Sequence, residues 1–293
     1  MSPPRLSSTE YMYLILSLTG TQKMDLITAR IGNTDVLLVD TPGFNDSFRS
    51  DGDILVQMSA ALCIQYRCKI NLKGVIYLHN ITQPRITGSA LRQLELFRRI
   101  CGDENLRHVL LVTTQWSEHF TSRWEDNEDQ LRDEYWADMI SKGAKCMRFE
   151  GTYASAASCI SQLLGEQLAV LALQREIVDE GRKLSNTSAG SYATKMRSEM
   201  QEEYKNLRSA PRLPPRSQQR LEYLEESLDK SREDKEKLGE DVVGNVDVLL
   251  EKALAKEKKR QGKKPNVVNI VGWILGLISI GVNVGTFVAG IAC

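Results

Sequence analysis

The sequence predicts an α/β domain with a mostly parallel sheet flanked by helices, followed by a helical or coiled-coil region and a C-terminal transmembrane helix. Apolar strand-like runs alternate with helix-like segments over residues 20–182, and this alternation favours parallel pairing because each parallel connection needs a crossover. The chain becomes highly charged over 183–266, and residues 267–293 contain no charged side chain. Residues 1–19 are predicted as an atypical N-terminal segment.

The first part of the predicted domain contains a strand, a hairpin, a helix and a further strand. The apolar run at 11–18 is too short for a signal peptide and is typical of a strand. Residues 26–31 and 35–40 are strand-like and joined by Gly-Asn-Thr, which predicts a hairpin. Apolar residues recur every three to four positions over 53–68, as in a helix, and 74–78 is predicted as a buried strand.

The second part continues the alternation of helices and strands. Residues 88–100 have the spacing of an amphipathic helix, and 108–113 is predicted as the next buried strand. An acidic helix is expected over 125–141, a last strand over 146–149 and a long helix over 154–180. Such sheets bind ligands at the carboxyl ends of their strands.

Composition and residue counts indicate no nucleic-acid partner and no metal site built from cysteine or histidine. The 293 residues include 38 Lys and Arg against 38 Asp and Glu, so the formal net charge is zero. The 42% hydrophobic and 26% charged residues are ordinary for a globular core. Six cysteines and three histidines lack metal-ligand spacing, which favours reduced thiols.

The charged region is predicted to be helical. A polar helix is expected over 191–208, a proline-rich break at 211–215 and a charged helix over 217–261. The a and d positions of a heptad frame are occupied by Leu221, Leu224, Leu228, Leu238, Val242 and Leu249. Polar residues and glycines interrupt this frame, so a short coiled coil and a lone solvated helix are both open.

The uncharged segment at 267–293 is long enough to span a bilayer. As a helix its 27 residues would reach ~40 Å, which exceeds the ~30 Å hydrocarbon core. The preceding basic flank consists of Lys256, Lys258, Lys259, Arg260, Lys263 and Lys264. This pattern predicts a tail-anchored, single-pass membrane protein whose preceding domain faces the cytosol. Two G-x-x-x-G motifs in the tail could support self-association.

The strongest functional motif lies at the end of the predicted hairpin. The apolar strand ends in Asp40, and a tight turn places Gly43 three residues later. This D-x-x-G arrangement is typical of a phosphate-sensing switch, in which the acid holds Mg²⁺ through water and the glycine N–H approaches a terminal phosphate. Residues 113–116 also follow a predicted strand, so both segments are expected at one edge of the sheet.

Several ordered segments strengthen this interpretation. They are DTPGF at 40–44, ARIGNT at 29–34, GVIYLH at 74–79, FRRICG at 97–102, VTTQW at 112–116 and EIVDEG at 176–181. Over roughly residues 20–190 the chain resembles fungal G-domain proteins related to the AIG-type, immunity-associated P-loop GTPases. The resemblance implies a P-loop-GTPase-like fold that binds GTP or GDP with Mg²⁺ and hydrolyses GTP slowly, as a switch or assembly factor.

Carried over by position, the resemblance assigns roles to individual residues. The implied nucleotide-binding residues are Thr21, Asp40, Thr41, Gly43, Thr113, Thr114 and Trp116. Of these, Thr21 and Asp40 would serve Mg²⁺, Gly43 the γ-phosphate, and 113–116 the base.

The chain also departs from the family pattern. The phosphate loop G-x-x-x-x-G-K-[ST] is missing, and an alternative register that makes Lys23 the phosphate lysine is incompatible with Thr21 as the switch threonine. Trp116 stands where an aspartate would pair with guanine, with Glu118 as a substitute candidate. Phe44 follows Gly43 in place of a catalytic glutamine, so hydrolysis should be slow.

Two functions are therefore predicted from the sequence. The first is a GTP-binding switch anchored to a membrane, which self-associates through its G domain, coiled coil or tail. The alternative is a pseudo-GTPase scaffold that binds no nucleotide because the phosphate loop is absent.

Overall fold

The computed structural model describes residues 12–17, 24–42, 50–83, 86–116, 122–210, 212–261, 269–272 and 274–275. Within these ranges the strands are β1 Met12–Ser17, β2 Asp25–Ile31, β3 Thr34–Thr41, β4 Asn71–Asn80, β5 Val109–Thr114 and β6 Lys145–Arg148. These strands form one sheet in the order β2-β3-β1-β4-β5-β6.

Only the first pairing of the described sheet is antiparallel. Strands β2 and β3 form a hairpin in which Ile31 lies opposite Thr34, and Gly32 has the positive φ of 60° that the tight turn requires. The described pairs β3–β1, β1–β4, β4–β5 and β5–β6 are parallel. The predicted hairpin and the mostly parallel α/β sheet are confirmed.

Among the described residues up to 164, five α-helices connect and flank the strands. They are α1 Asp51–Arg67, α2 Gly88–Cys101, α3 Ser122–Gln130, α4 Ala137–Ser141 and α5 Tyr153–Leu164. Ser50 caps α1 by accepting a 3.0 Å hydrogen bond from the Asp53 N–H, and Thr87 and Thr152 cap α2 and α5 in the same way. Because these caps are local, the helix starts predicted from the sequence lie close to the observed ones.

Apolar side chains cover both faces of the sheet. On one face the core includes Leu37, Val75 and Leu111 together with α1 and α2. On the other face Ile76 and Leu110 pack with residues of α5. This two-sided burial is what a central parallel strand needs, and β5 is buried at five of its six positions.

Two predicted helices are broken in the structure. The helix expected over 125–141 consists of α3, a π-helical turn at Leu131–Tyr135 and α4. The helix expected over 154–180 ends at Leu164 and resumes as α6 Ala172–Gln174, followed by a π-helical turn at Arg175–Asp179.

The second break has a tertiary cause. Between α5 and α6 the chain runs along β4, where the Ala169 N–H donates to the Leu72 carbonyl over 2.8 Å. Lys73 Nζ donates to the Glu166 carbonyl over 2.7 Å in the same region. Contacts with β4 thus replace the hydrogen bonds of a continuous helix.

The described part of the charged region contains four helices. They are α7 Ser188–Arg208, α8 Pro215–Lys230, α9 Asp234–Leu238 and α10 Val242–Gln261. Of these, α7, α9 and α10 pack on α1, and α8 packs on α7. The proline-rich break separates α7 from α8, with Pro215 at the first helical position, where its missing N–H costs no hydrogen bond. Arg220 and Glu203 join these two helices by an ion pair of 2.7 Å.

Three of the six apolar heptad positions belong to the protein's own core. Leu238, Val242 and Leu249 are buried in the cluster that also contains α1 residues. An ion pair between Arg67 at the end of α1 and Asp247 of α10 supports the same packing. These three heptad positions therefore take part in an intramolecular helix contact, and the coiled coil stays a prediction.

The C-terminal segment also packs into the fold. Residues 269–272 and 274–275 are helical. Their buried side chains, which belong to the same core as α1, are Ile270, Val271, Ile274 and Leu275. In the described part of the chain, no helix is both long and apolar enough to cross a membrane.

The prediction of a transmembrane helix at 267–293 is therefore wrong, and so is the tail-anchored, single-pass localisation with the α/β domain facing the cytosol. The physical reason is that the apolar side chains described in this segment are covered by the protein's own core. The other residues of 267–293, with the second G-x-x-x-G motif, lie outside the described ranges.

Replacing Leu249 by alanine tests the packing of α10 on α1. Leu249 is 1% exposed, so we expect Leu249→Ala to lower the free energy of unfolding by about 3 kcal/mol, through lost burial and the cavity left behind. Urea denaturation measures the loss. Leu168→Ala is the matched control, because Leu168 is 53% exposed and should lose less than about 1 kcal/mol. Equal losses in the two variants would contradict the packing.

Candidate functional site

The strand order identifies one position where an α/β sheet binds ligands. The chain passes from β1 to the hairpin on one side and then to β4 on the other, so the order reverses at β1. Ser17 at the carboxyl end of β1 lies level with Thr41 of β3 and Tyr77 of β4. Ligands of doubly wound sheets bind outside the carboxyl ends of the strands at such a reversal.

Two of the predicted site residues lie directly beside this position. Asp40 and Thr41 are the last residues of β3, and Asp40 is level with Leu16 of β1. Thr41 and Pro42 are buried, whereas Asp40 is half-buried. The D-x-x-G acid is thus delivered to the edge where a phosphate or its metal ion would be held. Thr21 and Gly43 lie outside the described residues, as do Lys23, Phe44 and Glu118.

A second carboxylate faces Asp40 across the hairpin. The register places Asp25 of β2 directly opposite Asp40, which puts both side chains on the same face with Cβ atoms about 5 Å apart. Like charges in directly opposed positions destabilise a strand pair, and a bound cation removes that repulsion. Sequence reasoning missed Asp25, because the predicted three-residue connection Gly-Asn-Thr is one residue longer than the observed turn, in which Thr34 already belongs to β3.

The two carboxylates at this edge suit Mg²⁺ better than they suit a metal ion whose ligands all come from the protein. Mg²⁺ commonly takes one or two carboxylates together with waters and substrate phosphates. Among the residues that the structure describes, no group of three or more His, Cys, Asp or Glu side chains is placed to hold a metal ion.

The other predicted residues form a compact network at the carboxyl end of β5. Thr113 is 1% exposed, and its hydroxyl donates to Glu128 Oε1 over 3.0 Å. The same hydroxyl oxygen accepts a 3.0 Å hydrogen bond from the Trp116 indole N–H. Thr114 donates to the His79 carbonyl over 3.3 Å, and Gln115 takes a left-handed φ of 66° that turns the chain back.

Arg148 and Glu128 complete this network. Arg148 Nε donates to Glu128 Oε2 over 2.8 Å, and this hydrogen bond raises the pKa of the guanidinium. The guanidinium also lies 4.2 Å from the centroid of the Trp116 ring, within cation–π range. Trp124 meets Trp116 edge-on at 6.2 Å. Trp116 is therefore held by its indole N–H and by one ring face, as a packing residue would be.

The predicted site has two halves, one at the end of β3 and one at the end of β5. They share one sheet edge, but β3 and β5 are not neighbouring strands. Strands β1 and β4 separate β3 from β5, which at ~4.8 Å per strand amounts to about 14 Å. An extended ligand with a phosphate end and a ring end fits this arrangement better than a small one.

The side chains at the end of β4, which lies between the two halves, make their contacts within the protein. His79 is buried against the edge of Trp136, and burial lowers the pKa of its imidazole to about 4, so it is neutral at pH 7. The Asn80 side chain accepts hydrogen bonds from the Thr82 N–H and hydroxyl at 2.9 and 2.8 Å.

Comparison with known proteins gives weak likenesses to solved structures. No family model matches the chain, and no curated protein matches it. Toc33 from Arabidopsis thaliana with GDP and Mg²⁺ has a TM-score of 0.42 and 10% identity, over 56% of this chain and 88% of that one. Translation elongation factor SelB from Methanococcus maripaludis, with the GTP analogue GppNHp, has a TM-score of 0.36 and 12% identity, over 54% of this chain and 34% of that one.

Cdc11 from Saccharomyces cerevisiae has a TM-score of 0.27 and 11% identity, over 63% of this chain and 99% of that one. At these scores and identities the likenesses establish no family for this chain. The AIG-type family and the fungal origin implied by the sequence resemblance are not shown.

Neutralising Glu128 tests the network at the end of β5. Glu128→Gln keeps the side-chain shape but removes the charge that pairs with Arg148, so we expect a loss of about 2 kcal/mol in unfolding free energy. We also expect altered Trp116 fluorescence, because Arg148 is released from the ring. Urea denaturation followed by tryptophan fluorescence measures both effects. Glu125→Gln is the control, since Glu125 is exposed on the same helix; an equal change there would refute the role of Glu128.

Proposed function

We propose that this protein is a nucleotide-dependent switch that binds GTP or GDP with Mg²⁺ at the carboxyl edge of its sheet. The observation that carries the proposal is the position of Asp40, at the end of β3 beside the strand-order reversal and opposite Asp25. This position matters because ligands of such sheets bind at the carboxyl ends of the strands beside a strand-order reversal.

In this proposal the phosphates and the metal ion lie at the β3 end of the edge. Asp40 holds Mg²⁺ directly or through water, and Asp25 adds a second carboxylate from the neighbouring strand. Thr21, Thr41 and Gly43 retain the roles that the sequence resemblance implies for them. Mg²⁺ with its phosphate ligands would neutralise two like charges that the hairpin register brings together.

The nucleobase is placed near the β5 end of the edge. Thr113 and Trp116 make hydrogen bonds within the protein, so they are poor candidates for reading the edge of a guanine. The stacked Arg148 and Trp116 offer a planar surface instead, on which either purine could stack. This arrangement favours base binding with little preference for guanine over adenine.

If the protein hydrolyses GTP, it should do so slowly. Phe44 follows the switch glycine and cannot orient an attacking water as a glutamine does. Binding and a change of state, rather than turnover, are therefore the proposed activity. Self-association stays a prediction.

The alternative is a scaffold that binds no nucleotide. It is favoured by the missing G-x-x-x-x-G-K-[ST] loop and by the internal hydrogen bonds of the β5 network. Each lost charge-assisted phosphate contact costs about 1.5–3 kcal/mol, so several together reduce affinity by orders of magnitude. Binding to nucleotide is thus the measurement that separates the two functions.

Titration of the full chain with GTP in 5 mM Mg²⁺, a concentration chosen to saturate a site with Kd of about 1 mM or tighter, tests the switch proposal. We expect calorimetric binding that Asp40→Asn weakens at least about tenfold, because the variant loses the charge that holds the metal. Asp35→Asn is the control, since Asp35 lies on the same strand at its opposite end and should bind as the parent does. Absence of heat with the parent protein at millimolar GTP would support the scaffold instead. An equal titration with ATP measures base preference.

The dependence of binding on Mg²⁺ tests the role of Asp25. Asp25→Asn should raise the Mg²⁺ concentration needed for half-maximal GTP binding by about three- to tenfold, because one of two carboxylates near the ion is lost. A Mg²⁺ titration at fixed GTP measures this shift. An unchanged midpoint would exclude Asp25 from the metal site while leaving the role of Asp40 standing.

A further inference from the structure

The N-terminus of α1 is held by a buried carboxyl group from α9. Asp234 is 6% exposed, and the Ser50 hydroxyl donates a hydrogen bond to its Oδ1. Ser50 is also the N-cap of α1, since its hydroxyl oxygen accepts from the Asp53 N–H over 3.0 Å. One hydroxyl therefore links the first turn of α1 to a helix about 180 residues later, far beyond the reach of local sequence pairing.

The Asp234 carboxyl group occupies the space that a side chain on Gly52 would take. A Cβ built on Gly52 would lie 2.6 Å from Asp234 Oδ2 and 2.7 Å from Oδ1, closer than any real contact allows. Lys237 of α9 adds an ion pair of 2.7 Å with Asp53 on the same turn of α1. The contact is thus built from a cap, a glycine and an ion pair, and it is specific to these two helices.

Charged groups of both signs surround the carboxyl group. Asp51 and Asp53 lie on α1, Arg92 on α2, Arg197 on α7, Glu226 and Lys230 on α8, and Lys237 on α9. They line or adjoin a cavity of about 100 Å³ beside Asp234. Burial outweighs the favourable groups, and together with the repulsion from Asp53 it raises the pKa of Asp234 from 3.8 to about 6.

The contact survives protonation of Asp234. A hydroxyl oxygen has two lone pairs, so Ser50 can accept from the neutral carboxyl group while it still accepts from the Asp53 N–H. The neutral form keeps a hydrogen bond and no longer buries a charge next to Asp53. Ionisation of Asp234 adds the free-energy cost of burying a charged carboxylate. Water can hydrate the carboxylate and remove this cost only if α9 moves away from α1.

We propose that Asp234 makes the contact between α9 and α1 a proton-sensitive latch, which the neutral carboxyl group closes and the ionised carboxylate loosens. The direction follows from proton linkage, because the closed state binds the proton more tightly than the open state does. Closure is strongest below pH 3.8, weakens as pH rises towards about 6, and is nearly constant above that value. The latch does not require nucleotide, so its test is independent of the proposed function.

The latch needs a local measurement, because two groups change the free energy of unfolding in opposite directions as pH changes. Burial lowers the pKa of His79 to about 4, so His79 makes the fold less stable as pH falls from 6.5 to about 4. Over nearly the same interval Asp234 makes the fold more stable. Amide hydrogen exchange at the first turn of α1 reports on the latch alone.

Hydrogen exchange of the full chain, followed by mass spectrometry on peptides that cover residues 50–58, tests the proposal. After correction for intrinsic exchange rates, we expect protection to fall about tenfold between pH 5.0 and pH 7.5. Asp234→Asn carries no charge and should keep high protection at both pH values. Glu236→Gln, a charge-neutralising change at an exposed position of the same helix, should retain the tenfold fall.

Two results would overturn the latch. One is protection in the parent protein that is constant or rises with pH. The other is an Asp234→Asn variant that retains the fall or loses protection at both pH values, which would mean that another group titrates or that the charge itself holds α9. Circular dichroism verifies that each variant is folded, and an unfolded Asp234→Asn variant also contradicts the proposal, which predicts a tighter contact.

Discussion

Helix α1 is apolar around most of its circumference, and the arrangement of the rest of the protein follows from the need to cover it. Twelve of its seventeen residues are buried. A helix that is apolar on all sides cannot lie on a sheet with its outer face in water. The sheet covers one side, and α6, α7, α9 and α10 contact it on the others. The charged C-terminal helices are thus part of the same packing unit as the sheet, because α1 requires them.

This requirement also connects the candidate site to the C-terminal helices. Asp40 is the penultimate residue of β3, and α1 is the next described element along the chain. The helix that follows the switch motif is therefore the one that α9 holds. A carboxyl group buried at the start of α1 is unfavourable by itself, and Ser50, Gly52 and the Lys237 ion pair make its approach tolerable. The same contacts that complete the core therefore place a titratable group at the start of the helix that follows the switch strand in the chain.

Much of the fold could be predicted because its signals are local. The hairpin follows from two strand-like runs around a Gly-Asn turn, and the helix starts follow from Ser50, Thr87 and Thr152. Asp40 and Thr113 lie at the carboxyl ends of their strands, at one edge of the sheet, as expected. The position of Asp25 opposite Asp40 was not expected, because the turn is one residue shorter than predicted. The hydrogen bonds that occupy Thr113 and Trp116 come from α3 and β6, and no local pattern indicates them.

The sequence by itself determined the alternation of strands and helices, the presence of the hairpin and the position of the D-x-x-G motif, because these depend on residues close together in the chain. Only the tertiary structure decided what covers each apolar surface. The heptad positions at Leu238 and Leu249 have the pattern expected for contact with a second helix, and the apolar residues Ile270, Val271, Ile274 and Leu275 have the pattern expected for a bilayer. All six are nevertheless buried in the protein's own core. The hydrophobic effect favours removing an apolar surface from water, but it does not select what covers that surface. A protein core, a neighbouring chain and a lipid bilayer all exclude water from it.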